Sequence, residues 1–399
     1  MKILLITDNF LPHLGGSRIF FYNLCKCLPK KEISVLTRCA KEAEKFDRNQ
    51  PFKIYRVYLF KLFRKIFWTF YELPIYFNLF FSALFIIKKE KIKIVWAGET
   101  LPCGLVALLL KKILGLPYII FTFAEDITIL SKLNRERKIG WYVLRNADLV
   151  IATCSFVENL LKEKVKVDSK KIVKILPGID EEIINFKLDE EKIIHYKKEL
   201  GLDNKKVLFT CARIIERKGI DNVIKTLPLI KEKIPNFIYL IAGEGEYKNK
   251  LEDLVKKEGL EIYVKFLGNL DHYKELPYFY YLCDIFIMPS RQLENYDIEG
   301  FGLVFLEAGA FEKPVIGPNI GGPTDAIVDK VTGLQVNPYD INEIAKAIIT
   351  LLSDKEYAEK LGKKARQRVI DEFRWQDRAD KIYRITQKIV NGYDALSKK

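Results

Sequence analysis

The sequence predicts an α/β chain of two successive doubly wound parallel sheets. Three observations carry that prediction: short apolar runs bounded by turns, helical stretches between them, and a restart of the same alternation after residue 205. Apolar strands separated by helices are the mark of parallel sheets covered on both faces. In the first half, strands are expected at 2–7 (KILLIT), 32–37 (EISVLT), 92–98 (IKIVWAG), 117–123 (PYIIFTF) and 147–154 (ADLVIATC), with helices near 17–28 and 103–113. A charged, weakly patterned stretch over about 180–205 follows Leu176-Pro177-Gly178 and reads as linker plus helix. The second half then places strands at 206–211, 237–242, 263–267, 284–288, 314–317 and 333–336, with helices near 219–231, 246–258, 303–311 and 340–352. The last stretch, about 355–391, is helical and rich in Lys and Arg. Two such halves present the carboxyl edges of their strands as ligand sites.

At 399 residues the chain has room for two domains, each with its own core. The seven cysteines are scattered without metal-ligand spacing, so reduced thiols used as small core residues are expected rather than disulfides or zinc. The short apolar run after Met1-Lys2 is expected as a buried strand rather than a signal peptide. Charge is unevenly placed. Residues 1–187 hold 32 Lys+Arg against 18 Asp+Glu, whereas residues 188–399 hold 34 of each, so the net +14 lies on the first half. Such asymmetry suggests that one domain faces a polyanion. No nucleic-acid-binding signature accompanies it, which leaves an anionic membrane surface as the expected partner.

The most informative string is Pro289–Asp325, PSRQLENYDIEGFGLVFLEAGAFEKPVIGPNIGGPTD. Glu299 and Glu307 flank a Gly300-Phe301-Gly302 turn that opens an apolar helix at Leu303. Unpaired N–H groups and the macrodipole at a helix N-terminus bind anions. Carboxylates on either side of such an anion site match a nucleotide sugar, with sugar hydroxyls, diphosphate and ribose hydroxyls in line. Upstream, CARIIERKG sets Arg213 and Lys218 at the end of a strand, where two cations fit a diphosphate or, equally, a solvated surface.

These motifs resemble the donor-site signature of the retaining glycosyltransferases of family 4, closest to the branch with phosphatidylinositol mannosyltransferases and bacterial surface-polysaccharide transferases. The resemblance spans nearly the whole chain and is strongest over 206–352. It implies the GT-B fold: an acceptor-binding domain at 1–185, a nucleotide-sugar domain at 186–374, and a last segment, centred on Trp375, whose C-terminal helix at 375–399 crosses back to the first domain. By that resemblance Glu299 contacts the donor sugar, Glu307 the ribose, and Arg213 and Lys218 the diphosphate. Gly15 and Gly16, the turn residues Phe301, Gly302 and Leu303, and Gly321-Gly322 lie on the donor side. Gly243 and Gly245 line the nucleotide pocket, with Asn269 and Leu270 beside the base. One departure is Ala212, where the family usually has glycine before the arginine.

The acceptor side departs further. Many relatives carry a histidine near the acceptor hydroxyl where this chain has Phe123, in FTFAEDI. His13, Glu125 and Asp126 are the candidates on the acceptor side, with Glu125 preferred. The same resemblance implies transfer of a hexose from a UDP- or GDP-sugar with retention, and no metal cofactor. A lipid-linked or saccharide acceptor, and a peripheral place on the inner face of the cytoplasmic membrane, are expected. A soluble enzyme acting on a sugar phosphate and a catalytically silent binding protein remain as alternatives. Residues 59–70 (LFKLFRKIFWTF) read as a basic amphipathic helix, either for the membrane interface, with Lys61, Arg64, Lys65 and Trp68 as its candidates, or packed on the core with a solvated basic face. The run Ile66–Ile87 is interrupted by Glu72, Pro74 and Asn78 and is not expected to span a bilayer.

Overall fold

A computed structural model describes residues 1–8, 10–12, 15–41, 43–58, 73–132, 134–293 and 297–396. The chain divides into two compact units, Met1–Gly178 with Trp375–Lys399, and Ile179–Arg374. The first unit therefore ends at Gly178 and not at 185, because Ile179 N–H bonds to the Phe373 carbonyl at 2.8 Å within the second unit.

The first unit holds seven strands: β1 (Ile3–Ile6), β2 (Ile33–Arg38), β3 (Lys53–Val57), β4 (Ile94–Ala97), β5 (Tyr118–Thr122), β6 (Leu149–Ala152) and β7 (Ile172–Lys174). Their order is β3-β2-β1-β4-β5-β6-β7, every pair parallel. All residues of β1, β4, β5 and β6 are buried, which explains why their sequences read as unbroken apolar runs. The two strands that the pattern did not reveal are the edges. β3 (KIYRV) has no buried residue, and β7 is only three residues long. The direction of winding reverses between β1 and β4, so their carboxyl ends form this unit's switch point.

The second unit holds β8 (Lys206–Cys211), β9 (Phe237–Ala242), β10 (Val264–Gly268), β11 (Ile285–Ile287), β12 (Val315–Pro318) and β13 (Gly333–Val336), ordered β10-β9-β8-β11-β12-β13. Here all pairs are parallel too, and the reversal lies between β8 and β11. The stretch expected as linker plus helix contains two short helices, Glu181–Ile184 and Glu190–Leu200, each capped by the aspartate before it.

The C-terminal stretch is helical, in two helices, Lys355–Glu372 and Trp375–Leu396, separated at the buried Phe373. The second belongs to the first unit. Trp375 meets Phe20 edge-on at 5.0 Å, and Tyr383 donates its hydroxyl to Glu32. All seven cysteines are free thiols. Lys61, Arg64, Lys65 and Trp68 lie outside the described residues, and the described part of the 66–87 run falls in helix Leu73–Glu90. Among the described residues no helix is long and apolar enough to cross a membrane.

Trp375 is 3% exposed and wedged among Phe20, Ala379 and Ile382 of one core. Trp375→Ala should cost about 3–5 kcal/mol in urea unfolding, the range for truncating a large aromatic core residue. A loss below about 1 kcal/mol, typical of a surface change, would place the helix outside that core.

Candidate functional site

In a parallel sheet the residues just past the strand ends at the switch point are the ones free to carry chemistry. In the second unit these follow β8 and β11. The β8 end turns through Glu216–Lys218, and the segment after β11 runs from Pro289 to the helix Leu303–Ala310. Lys218 Nζ and Arg217 Nη1 both donate to Glu299 Oε2, each at 2.6 Å. Arg217 also meets Asp297 Oδ1 at 3.0 Å. Burial by itself would raise the Glu299 carboxyl, but the charges of Lys218 and then Arg217 override it and bring it down to about 2. The Lys218 ammonium is lowered, chiefly by burial.

Backbone contacts fix this arrangement. Gly322 N–H bonds to the Glu299 carbonyl at 3.1 Å, and Arg291 N–H to the Arg217 carbonyl at 2.8 Å. Arg291 Nη1 in turn donates to both oxygens of the buried Asp221, at 2.8 and 3.0 Å. Gly302 starts helix Leu303–Ala310 at φ +84°, and a Cβ there would lie 2.6 Å from the Phe305 ring. Glycine is thus required for the turn that presents the Leu303 end of the helix. Phe301 is buried. Glu307 lies inside the helix, 7% exposed, and its Oε2 accepts from the Tyr280 hydroxyl at 2.7 Å. His272 Nε2 stands 4.0 Å from Glu307 Oε1.

The sequence expectation is therefore met unevenly in space. Glu299 and Lys218 are in contact, but the second cation on the carboxylate is Arg217. Arg213 is exposed at the end of β8, near enough for its charge to act on Lys218. Arg217 stood beside Lys218 in the sequence, but no spacing rule separates it from an ordinary surface arginine. Gly243, at φ +125°, lets the β9 end close on β8: a Cβ would sit 1.9 Å from the Ala212 carbonyl. At least part of its role is thus packing between strand ends, and a Cβ on Gly245 would meet the Ile214 carbonyl in the same way. Asn269 is exposed and Leu270 half-buried, in the loop that also carries His272.

The first unit has its own switch-point groups. Glu99, after β4, accepts from Thr7 Oγ1 at 2.7 Å and from Asp8 N–H at 3.1 Å, both at the end of β1. Asp8 pairs with Arg38 at 2.7 Å. Asp126, after β5, accepts from Phe123 N–H at 3.2 Å. Burial, and then the charge of Glu99, raise the Asp126 carboxyl well above its ordinary value. Burial likewise raises Glu99. Asp8 and Glu99 escaped the sequence reading, although each stands two residues past a strand. Glu125, the preferred candidate, is exposed. Phe123 meets Phe20 at 5.5 Å and Phe21 at 5.8 Å, so this position serves as an aromatic wall. Gly15 and Gly16 are exposed, with Gly16 opening helix Gly16–Cys27, and His13 lies outside the described residues.

Glu299→Gln should lower stability at neutral pH by about 3 kcal/mol, the low end for a broken buried pair because 13% of the side chain reaches solvent. The native carboxyl is depressed from 4.5 to about 2, so its stabilisation is complete above the ordinary value and is lost as pH falls through the native one. In urea unfolding, the gap between wild type and Glu299→Gln should close between pH 4.5 and about 2. A gap constant over that window would exclude this carboxylate as the stabilising group.

Known proteins match this arrangement over most of its length. Residues 14–183 match the family described as Glycosyltransferase Family 4, and residues 192–368 that described as Glycosyl transferases group 1. A GDP-mannose-dependent alpha-(1-6)-phosphatidylinositol monomannoside mannosyltransferase of Mycolicibacterium smegmatis is 26% identical over 382 residues, 95% of this chain and 97% of that one. A GDP-mannose-dependent monoacylated alpha-(1-6)-phosphatidylinositol monomannoside mannosyltransferase of Corynebacterium glutamicum is 27% identical, covering 97% of this chain and 98% of its own. Among solved structures, Anabaena HepE in complex with UDP aligns with a TM-score of 0.80 at 18% identity, over 97% of this chain and 100% of that one. Sucrose-phosphate synthase of Thermosynechococcus elongatus aligns with 0.77 at 22% identity, over 98% and 100%. Both structures share the fold. The two family matches tile the two units, and with them the chain is a glycosyltransferase of GT-B fold, its first unit matching family 4 and its second group 1.

Proposed function

We propose that the chain transfers a hexose, with retention, from a UDP- or GDP-sugar to a hydroxyl of a membrane-associated glycolipid or polysaccharide precursor. The observation that carries this reading is the Lys218–Glu299–Arg217 contact, set at the switch point beside the helix that begins at Leu303. Both cations bond Oε2 of Glu299, and in this reading Oε1 accepts from a donor-sugar hydroxyl. Lys218, Arg213 and the N–H groups at Leu303 take the diphosphate, so the reading needs no metal. Glu307 takes the ribose, with Tyr280 holding its carboxylate in place. In the reaction the bond from the anomeric carbon to the β-phosphate oxygen breaks and its electron pair stays on phosphate. The acceptor oxygen attacks on the same face and passes its proton to the leaving phosphate oxygen. Preorganised charge at that oxygen supplies rate acceleration, and no histidine is required at Phe123.

The names of the mycobacterial and corynebacterial relatives favour a GDP-mannose donor and a phosphatidylinositol-based acceptor. The basic charge of the first half favours an acceptor at an anionic surface, with the protein peripheral on the inner face of the cytoplasmic membrane.

A ligand that binds only the folded state raises its melting temperature. Melting should rise with one of UDP, GDP, ADP or CMP, and indifference to all four would count against the donor site. Lys218→Ala should lower kcat by about 10²–10³-fold, as for loss of one charge-stabilising donor. Proton NMR of the product should show the donor's anomeric configuration, and an inverted linkage would refute retention.

A further inference from the structure

The first unit carries a surface that the site chemistry does not use. Helices Leu73–Glu90, Leu105–Leu114 and Asn134–Asn146 form a layer in which Leu105–Leu114 packs against each of the other two. Parts of their outer faces are apolar. Phe77, Phe81 and Phe85 are 58%, 61% and 60% exposed, and their spacing of four places them in one stripe along the helix. The rings of Phe77 and Phe81 stack at 6.3 Å. The next two helices add Leu109, Ile113 at 63% exposure, and Tyr142 at 50%. A soluble surface rarely exposes large apolar side chains in such company unless it binds something.

The charge of the same helices says what it binds. Their sequences hold eight Lys and Arg against two acids, Glu90 and Glu136. Glu90 is buried and held by Lys53 at 2.7 Å. Lys88, Lys89, Lys112, Lys138 and Arg145 are exposed. Lys112 lies 5.2 Å over the ring of Tyr142, and Lys89 lies 5.4 Å over that of Phe85, so exposed ammonium groups and exposed rings stand together in both places. We propose that this face docks on an anionic lipid surface, with the phenylalanines entering the headgroup–acyl boundary and the lysines meeting lipid phosphates. Aromatic rings with flanking Lys and Arg suit that boundary, where apolar area and charge both contribute. A second copy of the chain fits less well, because a two-fold contact would set the same basic rim against itself. The inference rests on the proposal of a membrane-associated acceptor and names a surface that reaches it.

The test is flotation of the full chain with phosphatidylcholine vesicles, with and without phosphatidylglycerol. Wild type should float only with phosphatidylglycerol, and high salt should weaken the binding. The triple variant Phe77→Ser/Phe81→Ser/Phe85→Ser and the triple variant Lys88→Glu/Lys89→Glu/Lys112→Glu should each lose about tenfold or more in partitioning. Both should keep the nucleotide-induced rise in melting temperature, which shows an intact fold. A milder Phe81→Ser variant serves if the triple one does not fold, and should still weaken flotation. Variants that float as wild type does would overturn the proposal. So would a lipid-free dimer, seen by light scattering, that the phenylalanine variant dissociates. A wild type that glycosylates a detergent-solubilised glycolipid but never floats would sink this surface and leave the function standing. One that floats but neither responds to nucleotide nor transfers sugar would sink the function and leave the surface.

Discussion

A strand buried on both faces has no place for a charge except at its ends. The central strands of both units are of this kind, and in both the ionisable groups of interest collect where the winding reverses. Lys218, Arg217 and Glu299 gather past β8 and β11, while Asp8, Glu99 and Asp126 gather past β1, β4 and β5. Ladder geometry thus decides where chemistry is possible before any side chain decides which chemistry it is.

At the second unit's end, desolvation and pairing oppose one another. Burial disfavours the charged form of Lys218 and of Glu299 alike, yet the pair with Arg217 keeps the carboxylate ionised far below its usual range. The backbone bonds from Gly322 to Glu299 and from Arg291 to Arg217 tie the loops after β8, β11 and β12 into one frame. A frame of that kind holds charges in place before any ligand arrives, which spares the cost of arranging them on binding.

The first unit solves a different problem. Phe20, Phe21, Phe121 and Phe123 pack edge to face, and Trp375 joins them from the end of the chain. Phe123 belongs to that cluster as fully as to any ligand site. Its backbone N–H still serves Asp126, whose carboxyl is pushed toward the protonated form by burial and by Glu99. Among the described residues, carboxyl groups therefore mark this strand edge.

What the sequence determined by itself was the repeated alternation of strand and helix, since buried parallel strands must be continuous apolar runs. It also determined the Glu299–Glu307 string, because a glycine turn opening a helix leaves a local signature. The edge strands β3 and β7 were illegible: a strand covered on one side only, or three residues long, has no run to read. Only the tertiary structure decided that Arg217 and not Arg213 shares Glu299, that Asp8 and Glu99 meet, and that Phe123 is walled in by aromatic rings. Each of those depends on which side chains converge from strands far apart in the chain. Local patterning fixes where a strand ends, but partners across a sheet are chosen by strand order and register, which spacing along one chain does not encode.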